Sequence, residues 1–247
     1  MDQYGFFFDQ SRCTGCQTCA VACKSSHQLP PGPLKYLRIY QYEKGTFPHV
    51  RIHVQWIPCY HCERPACVES CPTGAMYKEE KYGAVLIDQE ECSACRLCYE
   101  ACPYGAPVFE SDDIGVNAQK CDMCVDRLAR GEAPVCILSC PLRALDFGPL
   151  KELERKYGNR RDLQDLPDSG LTKPAVLFKA SREKRQLFPY DAERALELLM
   201  KRDSLPRIFS SPSDVTEIPR GLVGRDSLII KHSSCEELMK LTRNDDG

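Results

Sequence analysis

Sixteen of the seventeen cysteines fall into four groups of four that repeat one frame. Cys13, Cys16, Cys19 and Cys23 form C-x2-C-x2-C-x3-C, and Cys92, Cys95, Cys98 and Cys102 repeat it identically. Cys59, Cys62, Cys67 and Cys71 keep the outer gaps and widen the middle one to x4. Cys121, Cys124, Cys136 and Cys140 stretch the middle gap to eleven. No other feature constrains the chain so strongly.

Soft thiolates in such density suit iron–sulfur clusters or zinc. Four-cysteine zinc sites usually read as two separated C-x2-C pairs, and gaps of x2, x2 or x4, and x3 make poor tetrahedral knuckles. Disulfides are the other alternative, but repeated, closely spaced thiols without a cleavable signal argue for metal. Bacterial ferredoxins hold 4Fe-4S cubanes with a C-x2-C-x2-C-x3-C-P run whose last cysteine serves the other cluster. Sixteen thiolates supply four ligands to each of four such clusters. Pro72, Pro103 and Pro141 follow the last cysteine in three groups, and Lys24 takes that place in the first. Proline there ends a helical turn and removes an N–H that would crowd the sulfur. Thr14, Gly15, Ala20, Ala66, Ser93, Ala94 and Ala101 are small, as a backbone wrapped on an inorganic surface requires.

At 247 residues the chain is long enough for two ordinary domains. The net charge of −2 comes from interspersed acids and bases, so nothing points to nucleic acid or an anionic membrane surface. Cysteine is about 7% of the chain, explained by clusters and not by a secreted disulfide scaffold. No run approaches the roughly 18 apolar residues of a membrane span. The start MDQYGFFFDQSR has neither a basic n-region nor a twin-arginine motif, so the expectation is no export address and no anchor of its own.

The repeat extends beyond the thiols. β-prone runs at 6–9 and 84–88 lead into the first and third groups, each with an aspartate four residues before the first cysteine. The expected fold class is α+β: two ferredoxin-like dicluster modules, one inserted in the other, with an extended C-terminal tail. Residues 57–109 are the inserted module, 1–56 and 110–148 the split one, and 149–247 a C-terminal extension. By the ferredoxin rule, and not by spacing alone, Cys59, Cys62, Cys67 and Cys102 hold one cluster and Cys92, Cys95, Cys98 and Cys71 its neighbour. Cys13, Cys16, Cys19 and Cys140 hold a third, and Cys121, Cys124, Cys136 and Cys23 the fourth.

Residues 29–54 read as a proline-rich turn and then a hairpin, and 125–131 as a short helix stopped by Gly131. Residues 150–157 read as a helix capped by Gly158, and 176–178 as a strand. Further helices are expected at 192–201, behind Asp191, and at 234–242, with an extended Ser/Pro-rich arm at 203–225. Too sparse for its own core, the tail either drapes over a partner or is dispensable. Cys235 reads as a free thiol. His61 is placed either to donate a hydrogen bond to a cluster sulfide or simply to pack. Tyr60, Tyr99 and Tyr104 either tune a cluster or pack on it, and packing is the plainer reading. His27, His49, His53 and His232 lack paired ligand spacing. The motifs G-x-S-x-G, G-x-G-x-x-G and the P-loop are absent, so no catalytic residue is assigned.

YGFFFDQSRC at 4–13, CTGCQTCAVAC at 13–23, CERPACVESCPTGAM at 62–76, CPYGAP at 102–107 and CILSCPLRALDFGPLKEL at 136–153 carry a resemblance. The chain resembles the iron–sulfur subunits of the dimethyl sulfoxide reductase family over roughly residues 1–180. That resemblance implies a non-catalytic electron-transfer subunit with four 4Fe-4S clusters. The implied partners are a molybdenum- or tungsten-bis(pyranopterin) catalytic subunit and, often, a quinol-linked integral-membrane subunit. Some relatives replace one cysteine of the third group and hold a 3Fe-4S centre; Cys92, Cys95, Cys98 and Cys102 are all present here. The residues after about 182 depart from the shorter members of the family, and the membrane helix of formate dehydrogenase-type relatives is not seen.

The expected setting is peripheral to the cell membrane, on its extracytoplasmic face, after export on the signal of the catalytic partner. The alternative is a soluble polyferredoxin-type adaptor of a cytoplasmic oxidoreductase or hydrogenase. A structural metal scaffold is the remaining rival, which iron with acid-labile sulfide excludes.

Overall fold

The structure is a computed structural model that describes residues 3–45 and 51–181. Residues 46–50, the expected helices at 192–201 and 234–242, the expected arm at 203–225 and Cys235 lie outside the described residues. In chain order the elements are β1 (Tyr4–Asp9), α1 (Thr18–Ser26), β2 (Arg38–Lys44), β3 (Arg51–Ile57), α2 (Ala66–Glu69), β4 (Met76–Lys78), β5 (Val85–Ile87), α3 (Leu97–Ala101), α4 (Val125–Ala129), α5 (Val135–Leu138), β6 (Leu145–Pro149), α6 (Leu150–Tyr157) and β7 (Val176–Lys179). Short helices mixed with small, mainly antiparallel sheets make this an α+β fold.

The aromatic run Phe6-Phe7-Phe8 makes β1 the organising strand. Side chains alternate across a strand, so Phe6 and Phe8 enter the main core against Trp56, with ring centroids 5.2 and 6.1 Å away. Phe7 faces the other way and stacks on Tyr157 of α6 at 3.6 Å. All three are buried, each gaining about 1.5–3 kcal/mol from leaving water. A strand buried on both faces needs neighbours on both edges, and β1 lies between antiparallel β6 and parallel β7. α6 covers Phe7 through Leu150 and Leu153, one helical turn apart, and ends at Gly158, whose φ of 84° suits a residue without a Cβ. From residues 150–179, which the sequence places in the extension, β7 sends Val176 and Phe178 into the core that holds the cysteine groups, while α6 packs Leu150 and Leu153 with Phe7 in a second cluster.

The other sheets are the β2–β3 hairpin and the short β4–β5 pair. One pairing rule recurs. β1 leads into the Cys13 group and pairs with β6, which leaves the Cys140 group. β5 leads into the Cys92 group and pairs with β4, which leaves the Cys71 group. Each such pair brings the start of one cysteine group beside the end of another.

Candidate metal centres

The four loops share a backbone signature. The residue just before the second cysteine has positive φ in every group: Gly15 (71°), His61 (45°), Ala94 (54°) and Met123 (62°). In the first and third groups the residue just after it, Gln17 or Arg96, is also left-handed. Such residues reverse the local curl, so successive thiols turn to one side. Only glycine adopts this conformation freely. At Gly15 a Cβ would also collide with Gln41, whose Nε2 donates to Thr14 O at 2.9 Å.

The third cysteine of each group lies in a short helix: Cys19 in α1, Cys67 in α2, Cys98 in α3 and Cys136 in α5. The fourth follows four residues later, still within α1 for Cys23 and just past the helix end for Cys71, Cys102 and Cys140. The chain then folds back over it. Cys71 Sγ accepts Met76 N–H (3.4 Å), Cys102 Sγ accepts Ala106 N–H (3.4 Å), and Cys140 Sγ accepts Ala144 N–H (3.3 Å). These are the groups with proline after the last cysteine, so the proline exit also aims a backbone donor at the sulfur.

The thiols gather in fours drawn from different groups. Cys13, Cys16, Cys19 and Cys140 line one cavity with Phe8, Ile39 and Trp56. Cys71, Cys92, Cys95 and Cys98 line another with Met76 and Ile87. Mutual electrostatics mark the other two sets. Burial pushes the Cys62 thiol up to about 12, and Cys59 and Cys102 reinforce the shift. Cys121 and Cys136 lie well above the ordinary thiol value, first through burial; Cys23 adds to the shift in both cases. Cys19 is pushed up to about 12 by burial, then by Cys13 and Cys140; Cys98 rises to about 11 by burial, then by Cys92, Cys95 and Cys71. Cys71 falls below its ordinary value although burial raises it, because the Met76 and Thr73 donors prevail.

Four buried thiols cannot ionise together unless a cation shares the site, and the thiolate is the metal-binding form. The donor set therefore fits a soft, multivalent metal group. Spacing separates a cluster from a single ion. Tetrahedral zinc with Zn–S near 2.3 Å holds its sulfurs about 3.8 Å apart. Among the described residues no cysteine triad has its sulfurs within 4.8 Å; the only group so close is His27, Asp122 and Cys124. A buried orphan donor points the same way. Trp56 lines the Cys13 cavity, and its indole N–H has no acceptor among the described residues.

The sets follow one another in space. Cys19 and Cys140 share a core with Cys23 and Cys136. Cys121 packs with Cys59 and Cys102. Cys67 packs with Cys98, Cys71 and Cys92. Of the sixteen grouped thiols only Cys16 and Cys95 are exposed, one in each terminal set.

Several polar neighbours of the thiols went unread in the sequence. Lys120, 5% exposed, donates to Val85 O and to Cys121 O (3.1 Å). Lys78 Nζ donates to Cys62 O and Gln3 Oε1, both at 2.7 Å. Buried Thr172 receives the Cys62 thiol at 3.3 Å. His27 Nε2 meets Asp122 Oδ1 at 3.1 Å, and its Nδ1 lies 3.7 Å from Cys23 Sγ. The hydrogen bond that His27 donates to Asp122 chiefly pushes the imidazole up to about 11. Asp122 itself, raised by burial, ends below its ordinary value through His27 and the Cys124 N–H. His61 is fully buried; its Nδ1 accepts Val85 N–H at 2.9 Å, which leaves the ring proton on Nε2, without a partner among the described residues. Tyr60 packs edge-on against Tyr104 and Phe178 and donates to Trp56 O at 2.7 Å, while Tyr99 sits half-exposed beside Phe109.

Comparison with known proteins gives this geometry its context. Residues 51–150 match the 4Fe-4S dicluster domain family, and residues 4–25 match the 4Fe-4S binding domain family. The protein is 45% identical over 191 residues to a component of the anaerobic dimethyl sulfoxide reductase of Escherichia coli (strain K12), spanning 74% of this chain and 91% of the relative. It is 33% identical to a component of the sulfite dehydrogenase of Allochromatium vinosum (75% and 86%) and 39% identical to the thiosulfate reductase electron transfer subunit PhsB of Salmonella typhi (62% and 79%). No described helix is long and apolar enough to cross a membrane. The chain belongs to the iron–sulfur electron-transfer subunits of the dimethyl sulfoxide reductase family: it carries 4Fe-4S clusters and serves a reductase complex whose catalysis resides in a partner subunit.

Proposed function

We propose that the sixteen grouped cysteines hold four 4Fe-4S clusters in a single line. The order is Cys13/Cys16/Cys19/Cys140, then Cys23/Cys121/Cys124/Cys136, then Cys59/Cys62/Cys67/Cys102, then Cys71/Cys92/Cys95/Cys98. Residues 57–109 act as a dicluster module inserted into another built from 1–56 and 110–148, and residues beyond 182 dock on a partner. The clusters supply one-electron carriers; the chain spaces them, buries the inner pair and leaves the ends accessible. The observation that carries this reading is the contiguous series of thiol sets with an exposed cysteine only at each extremity.

Such a line connects two partners. We assign them as a molybdenum- or tungsten-bis(pyranopterin) catalytic subunit and a quinol-linked membrane subunit, with this chain peripheral on the extracytoplasmic face. Anaerobic analysis of the purified complex is expected to find about sixteen iron and sixteen sulfide attributable to this subunit. Zinc in their place, iron for one cluster only, or a 3Fe-4S signal in unoxidised protein overturns the four-cubane reading.

A further inference from the structure

We propose that the Thr172 hydroxyl donates a hydrogen bond to the Cys62 sulfur whenever that sulfur is a cluster ligand, and that this bond raises the reduction potential of the Cys59/Cys62/Cys67/Cys102 site. The proposal rests on the four-site reading above and adds to it a tuning residue at one inner site.

Three grouped thiols meet a threonine hydroxyl among the described residues, in two different ways. Cys16 Sγ lies 3.4 Å from Thr18 Oγ1 and Cys71 Sγ 3.7 Å from Thr73 Oγ1, each two residues along the chain and each exposed, so water competes for both atoms. Cys62 Sγ lies 3.3 Å from Thr172 Oγ1, on a residue 3% exposed and 110 positions away. The backbone holds this contact in place. Glu63 N–H donates to Lys173 O (2.8 Å), Arg64 N–H to Thr172 O (3.0 Å) and Ala175 N–H to Tyr60 O (2.9 Å), so residues 172–175 are stitched along the second cysteine loop. Lys173 takes a φ of 48°, a left-handed conformation that L side chains avoid and that the surrounding bonds must sustain. Thr172 is thus placed on Cys62 by the fold and not by its own sequence neighbours.

The direction of the bond follows from the chemistry of the two atoms. In the free thiol, Cys62 S–H donates to the Thr172 oxygen. Metal binding takes the thiol proton, and a thiolate has none to give. A hydroxyl both donates and accepts, so Thr172 turns and donates to the sulfur. Without that turn a buried sulfur and oxygen would face each other with no proton between them, which is costly. A donor binds an acceptor more strongly as the acceptor gains negative charge. Reduction places more charge on the sulfurs, so the bond favours the reduced form and raises the potential, as hydrogen bonds to cluster sulfurs do. Burial prevents water from supplying an equivalent donor. Thr172 acts through Cys62, as a positioning and tuning residue.

The test is an EPR-monitored redox titration of the purified complex, with iron analysis, on Thr172→Val, Thr172→Ser and Thr172→Ala. Cys62→Ser marks the signal of the site that Cys62 serves, whichever thiols complete it. Thr172→Val keeps the shape and loses the donor. In it that signal is expected to move to lower potential, by on the order of tenfold in the ratio of reduced to oxidised site, or about 59 mV for one electron, while the other three hold. Thr172→Ser keeps the hydroxyl and should return the signal towards its original value. An unchanged or raised signal at full iron content, or an equal drop in Thr172→Ser, overturns the proposal. If Thr172→Val loses iron, Thr172→Ala is titrated in its place with the same expectation. An unmoved signal there, or loss of iron in both, leaves Thr172 a structural role only and overturns the tuning role. A shortage of iron in the unsubstituted complex counts instead against the four-site reading.

Discussion

The stretches 9–23 and 88–102 have the same cysteine frame and the same local path. Each opens on an aspartate whose Oδ1 accepts the N–H two residues on, Asp9 from Ser11 (3.0 Å) and Asp88 from Glu90 (2.9 Å). Each places left-handed residues on both sides of its second cysteine and its third cysteine in a helix. Their surroundings differ. Asp9 is buried, and its second oxygen receives Lys179 Nζ at 2.7 Å from the far end of the described residues, whereas Asp88 is exposed. β1 has a strand on each side; β5 has one. α1 runs for 9 residues and α3 for 5. The frame of thiols and turns therefore dictates the loop, and segments distant in sequence decide how deeply it is set.

The strongest way to break the comparison is at the last thiol of each stretch. Cys23→Ser and Cys102→Ser should each cost a site belonging to another group, Cys121/Cys124/Cys136 and Cys59/Cys62/Cys67 respectively. Iron should fall by about a quarter, the share of one cluster in four. Retention of those sites, with loss of the clusters at Cys13/Cys16/Cys19 or Cys92/Cys95/Cys98 instead, reverses the exchange of ligands.

A smaller effect tests whether the two loops share one backbone. Gly15→Ala adds a Cβ in a left-handed conformation and against Gln41, and should destabilise by about 1–2 kcal/mol. Ala94 already bears a Cβ at the equivalent position, so Ala94→Gly should change stability by no more than about 1 kcal/mol. Thermal loss of cluster absorbance is the readout. Equal responses would mean that the loops do not bear equal conformations.

The smallest effect concerns the two aspartates. Burial raises the Asp9 carboxyl, but Lys179 and Ser11 outweigh it and hold the group below its ordinary value of 3.8. Asp9 then contributes stability above that value and loses it as pH falls through the lowered one. Lys179 is half-exposed, so the amount is at most about 1 kcal/mol. Asp9→Asn should flatten the wild-type decline in stability below about pH 4. Asp88→Asn, a surface change, should stay within about 0.5 kcal/mol of wild type. A decline equally steep in Asp9→Asn assigns the acid sensitivity elsewhere.

Much of this was legible in the sequence because it is local. The cysteine gaps, the strands before Cys13 and Cys92, the helix ending at Gly158 and the strand near Val176 are all set by neighbours within a few residues. The proposed exchange of thiols between groups rests on a known rule of ferredoxins and not on periodicity. What escaped depends on distant pairs: Lys120 with Val85, His27 with Asp122, Cys62 with Thr172. A buried lysine looks like any surface lysine until the fold puts a carbonyl over it. The left-handed residue before each second cysteine was in principle findable, since Gly15 marks it, but His61, Ala94 and Met123 carry no such mark.

The parallel pairing of β7 with β1 has a consequence for biogenesis. Strand β1 is made well before both of its partners, and its second edge stays open until residue 179 has been made. The same delay applies to the thiols that β1 introduces, because Cys13 lines its cavity together with Cys140. Cys59 and Cys102, by contrast, close a much shorter loop, which costs less chain entropy and forms sooner. Metal loading should therefore proceed from the interior of the gene outward, residues 57–109 maturing while the chain that flanks them is still incomplete.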